Sequence, residues 1–227
     1  GMIEDHRLDI RDIIGIKKLV NQVKPDFVFH LAAQALVRKS YEDSLETMSI
    51  NALGSATILE AIRQLDKKVI AIMITSDKAY DNVEWMWGYR ETDCLGGKDP
   101  YSASKGMAEL AIRSFVESFF NTPESNVRIG ITRAGNVIGG GDWSKDRIIP
   151  DIIKNLIKNK KLIIRNKNST RPWQHVLEPI SGYLLLGLKL YQHPKKYSSS
   201  WNFGPNIRET LKVSELVRIF IKNLKIK

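Results

Sequence analysis

The sequence has few of the residues that build disulfide frameworks and metal sites. Its 227 residues include one cysteine, Cys94, and four histidines. A single cysteine excludes an internal disulfide framework, so we expect a protein of a reducing compartment, the cytoplasm. Nothing around Cys94 matches a catalytic-cysteine motif, and no histidines have the spacing of a metal-ligand set. The sequence therefore predicts no metal site.

Long apolar runs are also absent. No run of about 18 apolar residues occurs, and the N-terminus carries no apolar secretory segment. We therefore predict neither a transmembrane helix nor a signal peptide. Apolar residues nevertheless make up 43% of the chain, which is enough to bury the core of one or two domains.

Acidic residues are outnumbered by basic ones. The chain has 35 Lys and Arg against 25 Asp and Glu, which gives a formal charge of +10. The excess lies in separate clusters at 158–161, 165–167, 195–196 and 222–227. These clusters lack interleaved aromatic residues and match no nucleic-acid-binding module. We therefore predict no nucleic-acid binding, and we interpret the charge as a solvated surface that helps to attract an anionic nucleotide.

One apolar run, 69–74, is typical of a strand that is buried on both faces of a parallel sheet. Soon after it come Ser76, Asp77 and Lys78. Ligands of open α/β sheets bind beyond the carboxyl ends of the strands, so these polar side chains are candidates for chemistry. A simpler interpretation stays open, in which Asp77 and Lys78 form only an ion pair at the strand end.

A second polar pattern opens a helical segment at Pro100, a residue favoured in the first turn of a helix. Tyr101 and Lys105 are four residues apart, so a helix places both side chains on one face. An ammonium close to a phenol stabilises the phenolate and lowers the pKa of the tyrosine. Tyr101 is therefore a candidate base near neutral pH.

A strand-end hydroxyl followed by Tyr-x-x-x-Lys resembles the extended branch of the short-chain dehydrogenase/reductase superfamily. Sugar-nucleotide 4,6-dehydratases carry a hydroxyl, an acid and a further acid-base group at the position of Ser76-Asp77-Lys78. A lysine in third place is characteristic of CDP-glucose 4,6-dehydratases, and the sequence resembles that family. The resemblance implies an α/β fold with a Rossmann-like parallel sheet, NAD as cofactor and a CDP-hexose as substrate.

The resemblance also implies a set of cofactor-binding residues. Leu8-Asp9-Ile10-Arg11-Asp12 resembles a family segment that cradles the adenine ring, which gives that role to Asp9 and Ile10. The segment after His30 resembles the family's His-Leu-Ala-Ala sequence, whose small residues let the cofactor ribose approach the backbone. The remaining implied contacts are Leu31, Ala32, Ala33, Gln34, Tyr101, Lys105 and Ala134. Alternatively Asp9 or Asp12 caps the next helix, which we favour for Asp12, and we expect His30 to be a packed strand-end side chain.

One family element has no counterpart in the sequence. Members open with a Gly-x-x-Gly-x-x-Gly turn that binds pyrophosphate at a helix N-terminus, and no such turn precedes Asp9. We therefore expect residues 1–140 to form a Rossmann-like domain without its first strands, with the strand 27–31 as an exposed apolar edge. Residues 141–227 are expected to form part of a smaller substrate domain, and the strand near 201–204 could return to the Rossmann sheet.

Further residues receive roles only through the resemblance. Substrate contacts are implied for Arg38, Ser40, Asn136, Arg147, Arg171 and Asn202; a planar guanidinium such as that of Arg171 suits a diphosphate. Asn51, in an Asn-x-x-Gly element, is implied to support a proton relay behind the Tyr/Lys pair, and a purely structural role is the alternative.

The helices 44–65 and 100–121 resemble the pair that builds the family's dimer. The loop 81–99 is expected to cover the substrate, with Trp85 and Trp87 either stacking on it or packing within the loop.

The resemblance implies that the protein removes water from CDP-glucose to give a 4-keto-6-deoxy sugar. Tyr101, close to Ser76, would take the C4 hydroxyl proton. Lys78 would remove the C5 proton, for which its amine must be neutral. Burial and the Lys105 charge would lower the pKa of Lys78 and favour the neutral amine, whereas the Asp77 charge would raise it. Protonated Asp77 would assist the departing C6 hydroxyl. Two alternatives remain: an epimerase or reductase of the superfamily, and a non-catalytic fragment that oligomerises or binds a sugar nucleotide.

Overall fold

The structure, a computed structural model, describes residues 2–206 and 209–224. Its first elements are α1 (Ile13–Val23), β1 (Phe27–His30), α2 (Val37–Glu42), α3 (Ser44–Met48), α4 (Gly54–Arg63), β2 (Val69–Ile74), α5 (Pro100–Phe115) and β3 (Val127–Ala134). They are followed by β4 (Val137–Ile138), α6 (Ile148–Ile157), β5 (Thr170–Arg171), β6 (Gln174–His175), α7 (Leu177–Gln192), α8 (Pro194–Tyr197), β7 (Ser200–Phe203), β8 (Leu211–Lys212) and α9 (Val213–Asn223).

The main sheet has the strand order β1-β2-β3-β7, and β1, β2 and β3 run parallel. The central strand β2 is apolar throughout, and its residues 69–73 are each 0% exposed. This double-sided burial confirms the prediction for that run, because a strand covered by helices on both faces needs no polar alternation.

Helices cover both faces of the sheet. On one face, Leu59 and Ile62 of α4 and Ile112 of α5 join Val69, Ala71 and Met73 in a single apolar cluster. On the other face, Gly130 of β3 lies against Leu186 and Leu190 of α7, and an added Cβ would meet them at 3.0 and 2.8 Å. Each fully buried aliphatic side chain of these layers contributes about 1.5–3 kcal/mol.

Two helices that carry candidate residues begin at side-chain caps. Asp12 precedes α1 and accepts a hydrogen bond from the Gly15 amide at 3.0 Å, so the capping role favoured for Asp12 is confirmed. Asp99 precedes α5 and accepts from the Ser102 amide at 3.0 Å, with Pro100 as the first helical residue. The start of the Tyr101 helix was therefore predicted correctly.

The predicted helix 44–65 is interrupted at one point. A π-helical turn, Ser49–Leu53, joins α3 to α4, and Asn51 lies at its centre. The Ser55 hydroxyl donates to the Asn51 carbonyl at 2.7 Å and so satisfies an acceptor in the widened turn. A similar turn, Val116–Phe120, extends α5. Sequence periodicity does not reveal these single-turn irregularities.

The chain divides into two compact units, Gly1–Arg133 with Tyr183–Asn202, and Ala134–Gly182 with Phe203–Lys227. The observed boundaries thus differ from the expected boundary at residue 140. The reason is that most of α7 packs on the main sheet and that β7 is the strand next to β3 in that sheet. The return of the strand near 201–204 to the sheet is observed.

The second unit has its own small core. Ile149 and Ile152 of α6 pack with Val217 of α9. Two short ladders belong to the same unit: β4 pairs with β6 in parallel, and β5 pairs with β8 antiparallel.

The strand β1 is the edge of the main sheet, and among residues 2–206 and 209–224 no strand pairs with its outer side. Phe27 is 41% exposed and the following Leu31 is 57% exposed. The expected apolar edge is therefore present.

Candidate active site

Ser76, Asp77 and Lys78 form a short turn beyond β2, where the sequence predicted them. The Ser76 hydroxyl caps a 3-10 turn over Asp77–Ala79 by accepting from the Lys78 amide at 3.2 Å. It lies 3.1 Å from Asp77 Oδ1, to which it donates. The turn fixes these three side chains at the carboxyl end of the central strand.

Asp77 and Lys78 also contact each other. Lys78 Nζ lies 3.6 Å from Asp77 Oδ2, and the side chains of Lys78 and Asp77 are 38% and 29% exposed. The ion pair that the simpler interpretation proposed is therefore formed. The burial expected for Lys78 is not observed, because the 3-10 turn carries its side chain beyond the covered part of the sheet.

Tyr101 and Lys105 share one face of α5, as their spacing predicted, and both are buried, at 8% and 6% exposure. Lys105 Nζ lies 6.0 Å from the centre of the Tyr101 ring. Burial lowers the pKa of Lys105 to about 8, and the negative charge of Glu109 opposes part of this shift. At neutral pH Lys105 is therefore mainly a cation beside a phenol.

Asn51 connects the π turn to this helix. Its Nδ2 donates to the Ser104 hydroxyl at 2.8 Å, and that hydroxyl donates to the Tyr101 carbonyl at 2.6 Å. Asn51 also exchanges two hydrogen bonds with the backbone of Gln34, at 2.9 and 3.1 Å. Its side chain thus joins the end of β1 to the Tyr101 helix, which satisfies the buried amide.

His30, the last residue of β1, is buried at 6% exposure, and its Nε2 lies 3.1 Å from the Ser55 hydroxyl. Since that hydroxyl donates its proton to the Asn51 carbonyl, Nε2 must be the donor in this contact. Burial lowers the pKa of His30 to about 4, with the Lys105 charge as a second cause. His30 is therefore a neutral, packed side chain at pH 7, as expected.

The residues implied to hold the cofactor lie in different settings. Asp9 forms an exposed salt bridge with Arg11, which lowers the pKa of Asp9 to about 2. Ile10 packs against Gly54, where an added Cβ would meet Ile10 Cγ2 at 2.8 Å. Leu31 and Ala32 are exposed, Ala33 is half-buried, Gln34 is buried in the Asn51 network, and Ala134 is the buried last residue of β3.

The implied substrate residues of the first unit also differ from one another. Arg38 is exposed on α2. Ser40 is 0% exposed and donates to the Val37 carbonyl at 2.6 Å. Asn202 accepts from the Tyr80 hydroxyl at 2.7 Å and donates to the Tyr89 carbonyl at 2.9 Å. The polar groups of Ser40 and Asn202 thus have protein partners.

In the second unit, the implied substrate residues are half-buried. Arg147 directly precedes α6, and its Nη1 lies 3.2 Å from Asp142 Oδ2. Arg171 ends β5, and its Nη1 donates to the Thr170 carbonyl at 2.8 Å. Asn136 accepts, through its carbonyl, the Gln174 amide at 3.0 Å. The Asn136 backbone is thereby held beside the β4–β6 ladder.

The loop 81–99 contains no helix or longer strand, as expected, and a single bridge pairs Tyr80 with Leu95. Trp85 lies 5.4 Å from the Tyr89 ring and is 47% exposed, while Trp87 is 71% exposed. Trp85 packs within the loop, and Trp87 has its surface largely open.

A buried ion pair between Glu109 of α5 and Arg133 of β3 was not predicted from the sequence. Arg133 Nε and Nη2 donate to the two Glu109 carboxylate oxygens at 2.6 and 2.5 Å. A usable signal was present: Arg133 is the second-last residue of the strand 127–134, and a buried cation there needs a partner, while Glu109 lies one helical turn beyond Lys105.

A comparison of the whole chain with protein families settles its relationship. The family profile described as GDP-mannose 4,6-dehydratase matches residues 1–223. The chain belongs to this family. The recognition of a sugar-nucleotide dehydratase from Ser76-Asp77-Lys78 and Tyr101-x-x-x-Lys105 is therefore confirmed.

Curated relatives include members with named activities. CDP-glucose 4,6-dehydratase of Salmonella typhimurium is 49% identical over 219 residues, which cover 95% of this chain. The chain spans 61% of that relative's length. CDP-paratose 2-epimerase of Salmonella typhi is 26% identical over 93% of this chain and 67% of the relative.

Solved structures show the same fold. A UDP-N-acetylglucosamine 4-epimerase from Methanobrevibacter ruminantium aligns with a TM-score of 0.81 and 22% identity over 98% of this chain and 67% of its own. A dTDP-glucose 4,6-dehydratase from Streptomyces venezuelae, with NAD bound, aligns with a TM-score of 0.80 and 22% identity over 97% and 63%. The Rossmann-like α/β fold is thereby confirmed.

The described part of this family member lacks two kinds of feature. None of its helices has both the length and the apolar composition needed to cross a bilayer. Within residues 2–206 and 209–224, no three His, Cys, Asp or Glu side chains are grouped as metal ligands.

Proposed function

We propose that this protein dehydrates CDP-glucose to CDP-4-keto-6-deoxyglucose. The observation that carries the proposal is the 49% identity to CDP-glucose 4,6-dehydratase along 95% of the chain. Lys78 supports it, because the resemblance of the Ser-Asp-Lys turn is to the CDP-glucose enzymes. The epimerase relatives are more distant, at 22–26% identity.

In the proposed reaction Tyr101 acts as the first base. As a phenolate beside cationic Lys105, it takes the proton of the sugar C4 hydroxyl. The Ser76 hydroxyl, which donates to Asp77 Oδ1 in the structure, would turn to donate a hydrogen bond to the same sugar oxygen. Buried Lys105 supplies the charge that stabilises the phenolate. Asn51 holds the Tyr101 turn of α5 through Ser104 and so positions the base.

Asp77 and Lys78 carry the elimination of water in this proposal. The C4 ketone acidifies the neighbouring C5 proton, which the neutral amine of Lys78 removes. Asp77 passes its proton to the departing C6 hydroxyl. The active form is the neutral pair with the shared proton on Asp77, and the two groups already lie 3.6 Å apart between Lys78 Nζ and Asp77 Oδ2. A bound sugar that excludes water favours this neutral pair, because burial penalises both charges.

We propose NAD as the cofactor. When bound, NAD would supply a hydride acceptor for C4 and the same hydride for C6, so the reaction would have no net redox change. The residues present suit two parts of this cofactor. The small side chains of Ala32 and Ala33 would let a ribose approach the backbone beyond β1, and Asp9 and Ile10, which precede α1, would contact the adenine. Tyr101 and Lys105 would hold the nicotinamide ribose. No glycine-rich pyrophosphate turn precedes Asp9 among the 227 residues.

For the nucleotide part of the substrate we propose Arg38 in the first unit and Asn136, Arg147 and Arg171 in the second. Arginine forks suit a diphosphate, and Arg38 is an exposed residue of α2. Ser40 and Asn202 would act by holding backbone segments in place, because their polar groups are bonded within the protein.

We also propose a homodimer through α3–α4 and α5. Apolar side chains are exposed on these helices, including Leu45 (78%), Leu53 (62%) and Leu110 (59%). Leu110→Glu should convert the dimer to a monomer, and Leu188→Glu on α7 is the matched control. If light scattering gives the molar mass of a monomer for the wild-type chain at micromolar concentration, the proposed dimer is contradicted.

The test of the function is calorimetric binding of NAD, followed by an assay of CDP-glucose dehydration by mass spectrometry. Two proteins are compared: the 227-residue chain, and an extended chain that joins it to the upstream segment of the Salmonella typhimurium relative. We expect the extended chain to bind NAD and release water from CDP-glucose. An extended chain that binds NAD but leaves CDP-glucose unchanged would contradict the proposed reaction.

A further inference from the structure

The Glu109–Arg133 ion pair has no part in the proposed chemistry, yet it lies inside the same unit. Glu109 is 0% exposed and Arg133 is 1% exposed. Two parallel hydrogen bonds join the guanidinium to the carboxylate, at 2.6 and 2.5 Å. A buried ion pair is costly to desolvate and is weak evidence for added stability. Its presence therefore suggests another role for the charges.

On one side the pair faces the candidate catalytic groups. Glu109 lies one turn beyond Lys105 on the same face of α5, and it also accepts the Thr75 hydroxyl at 2.7 Å. Thr75 directly precedes the Ser76 turn. The charge of Glu109 acts on Lys105, and the charge of Lys105 acts on His30, which is neutral at pH 7. Two cations also face the Glu109 carboxylate: Arg133, and Arg113 one turn further along α5, whose Nη2 lies 4.0 Å from Glu109 Oε2.

On its other side the pair holds the loop 81–99. Arg133 Nη1 donates to the Tyr80 hydroxyl at 2.6 Å and to the Glu91 carbonyl at 3.0 Å. The guanidinium also lies over the Tyr80 ring, 4.6 Å from its centre. These contacts fix the beginning and the later part of the loop to one cation.

The Tyr80 hydroxyl passes the connection on to β7. It donates to Asn202 Oδ1 at 2.7 Å, and Asn202 Nδ2 donates to the Tyr89 carbonyl at 2.9 Å. The Asn202 amide donates to the Glu91 carboxylate at 2.9 Å. An unbroken chain of hydrogen bonds therefore runs from Thr75 and Glu109 to the loop.

We propose that Glu109 and Arg133 are positioning residues: Glu109 supplies the negative charge that keeps Lys105 cationic, and Arg133 anchors the loop 81–99 through Tyr80. The role in catalysis rests on the proposed function, because it acts through Lys105 and through a loop placed to cover the substrate. The electrostatic and anchoring effects themselves are properties of the chain without ligand.

The electrostatic effect is tested by titrating Lys105 in protein that carries lysine labelled with ¹³C at the ε-carbon. The Lys105 signal is assigned by its loss in Lys105→Arg. In Glu109→Gln we expect its titration midpoint to fall by about one pH unit, because removing an attractive negative charge one helical turn away disfavours the ammonium form. The matched control is Glu117→Gln, an exposed site on the same helical segment, which should leave the midpoint unchanged. A folded Glu109→Gln protein with an unchanged midpoint would overturn this half of the proposal.

The anchoring effect has a variant that keeps both charges. Tyr80→Phe removes only the hydroxyl between Arg133 and Asn202. We expect amide hydrogen exchange across 81–95 to quicken about tenfold, as loss of a charge-assisted hydrogen bond implies, with the Lys105 midpoint unchanged. Tyr41→Phe, at an exposed tyrosine, is the control. Unchanged exchange in Tyr80→Phe would overturn the anchoring role, even where Glu109→Gln does not fold. Neither readout needs NAD or CDP-glucose, so a failure here is distinct from a failure of the proposed function.

Discussion

The two candidate acid-base pairs, Tyr101 with Lys105 on α5 and Asp77 with Lys78 beyond β2, differ in their surroundings. Tyr101 and Lys105 are 8% and 6% exposed, whereas the side chains of Asp77 and Lys78 are 29% and 38% exposed. Burial already tunes Lys105, whose pKa is lowered to about 8. Asp77 and Lys78 remain in contact with water and with each other. The protein alone therefore provides the buried environment of Tyr101 and Lys105. Asp77 and Lys78 would become buried only when a bound substrate excludes water from them.

The largest expected effect concerns the buried pair. Tyr101→Phe removes the proposed base and keeps the ring, so we expect turnover of CDP-glucose by the extended chain to fall about 10³- to 10⁴-fold. Tyr41→Phe, at an exposed position on α2, should leave turnover unchanged. A loss below tenfold in Tyr101→Phe would mean that another group takes the C4 proton.

The exposed pair should act at a later step. Asp77→Asn removes the proton donor for the C6 hydroxyl, and we expect release of water to slow about 10²- to 10³-fold. Oxidation at C4 should continue, so borodeuteride should trap a 4-keto hexose that still carries its C6 hydroxyl. If the Asn variant yields no such intermediate, Asp77 belongs to the oxidation step.

Lys105 and Lys78 should also differ in their effect on the free energy of unfolding. The pKa of Lys105 falls from 10.5 to about 8 on folding, so its charge opposes folding at pH 7 by up to about 3 kcal/mol. Lys105→Met should therefore raise the free energy of unfolding at pH 7, measured in urea. In the wild type this opposition is relieved as pH rises from about 8 to 10.5. Lys78→Met should change stability by less than about 1 kcal/mol, since the Lys78 ion pair is half-exposed.

A further effect on stability is expected from His30 at acid pH. Its pKa is lowered from 6.5 to about 4 in the folded state, so the unfolded chain binds more protons between these values. Stability is then retained above pH 6.5 and lost as pH falls toward 4. We expect a loss of about 2 kcal/mol between pH 7 and pH 5 from this group. His30→Asn should flatten that slope in urea titrations, whereas His193→Asn, at an exposed site, should leave it unchanged.

The sequence predicted the elements that carry strong local signals. The run 69–74, the helix start at Pro100 and the family motifs were recognised because periodicity, a helix-favouring proline and residue spacing act over a few positions. The fold class followed from them, and the structural relatives confirm it.

Features that depend on distant partners could not be predicted in this way. The π turn at Asn51 arises where Asn51, Gln34 and Ser55 exchange hydrogen bonds, and no local pattern encodes it. The Glu109–Arg133 pair joins α5 to β3 and requires the sheet to exist first. The exposure of Lys78 follows from a 3-10 turn whose cap is the neighbouring Ser76.

The measurement that tests the account most directly follows deuterium from C4 of CDP-glucose in the extended chain, with NMR of the product. The proposed roles of Tyr101, Asp77 and Lys78 require the label to leave C4 and to appear at C6 of a 4-keto-6-deoxy sugar. A product that keeps deuterium at C4, with its C6 hydroxyl in place, would contradict the dehydratase assignment and favour epimerisation.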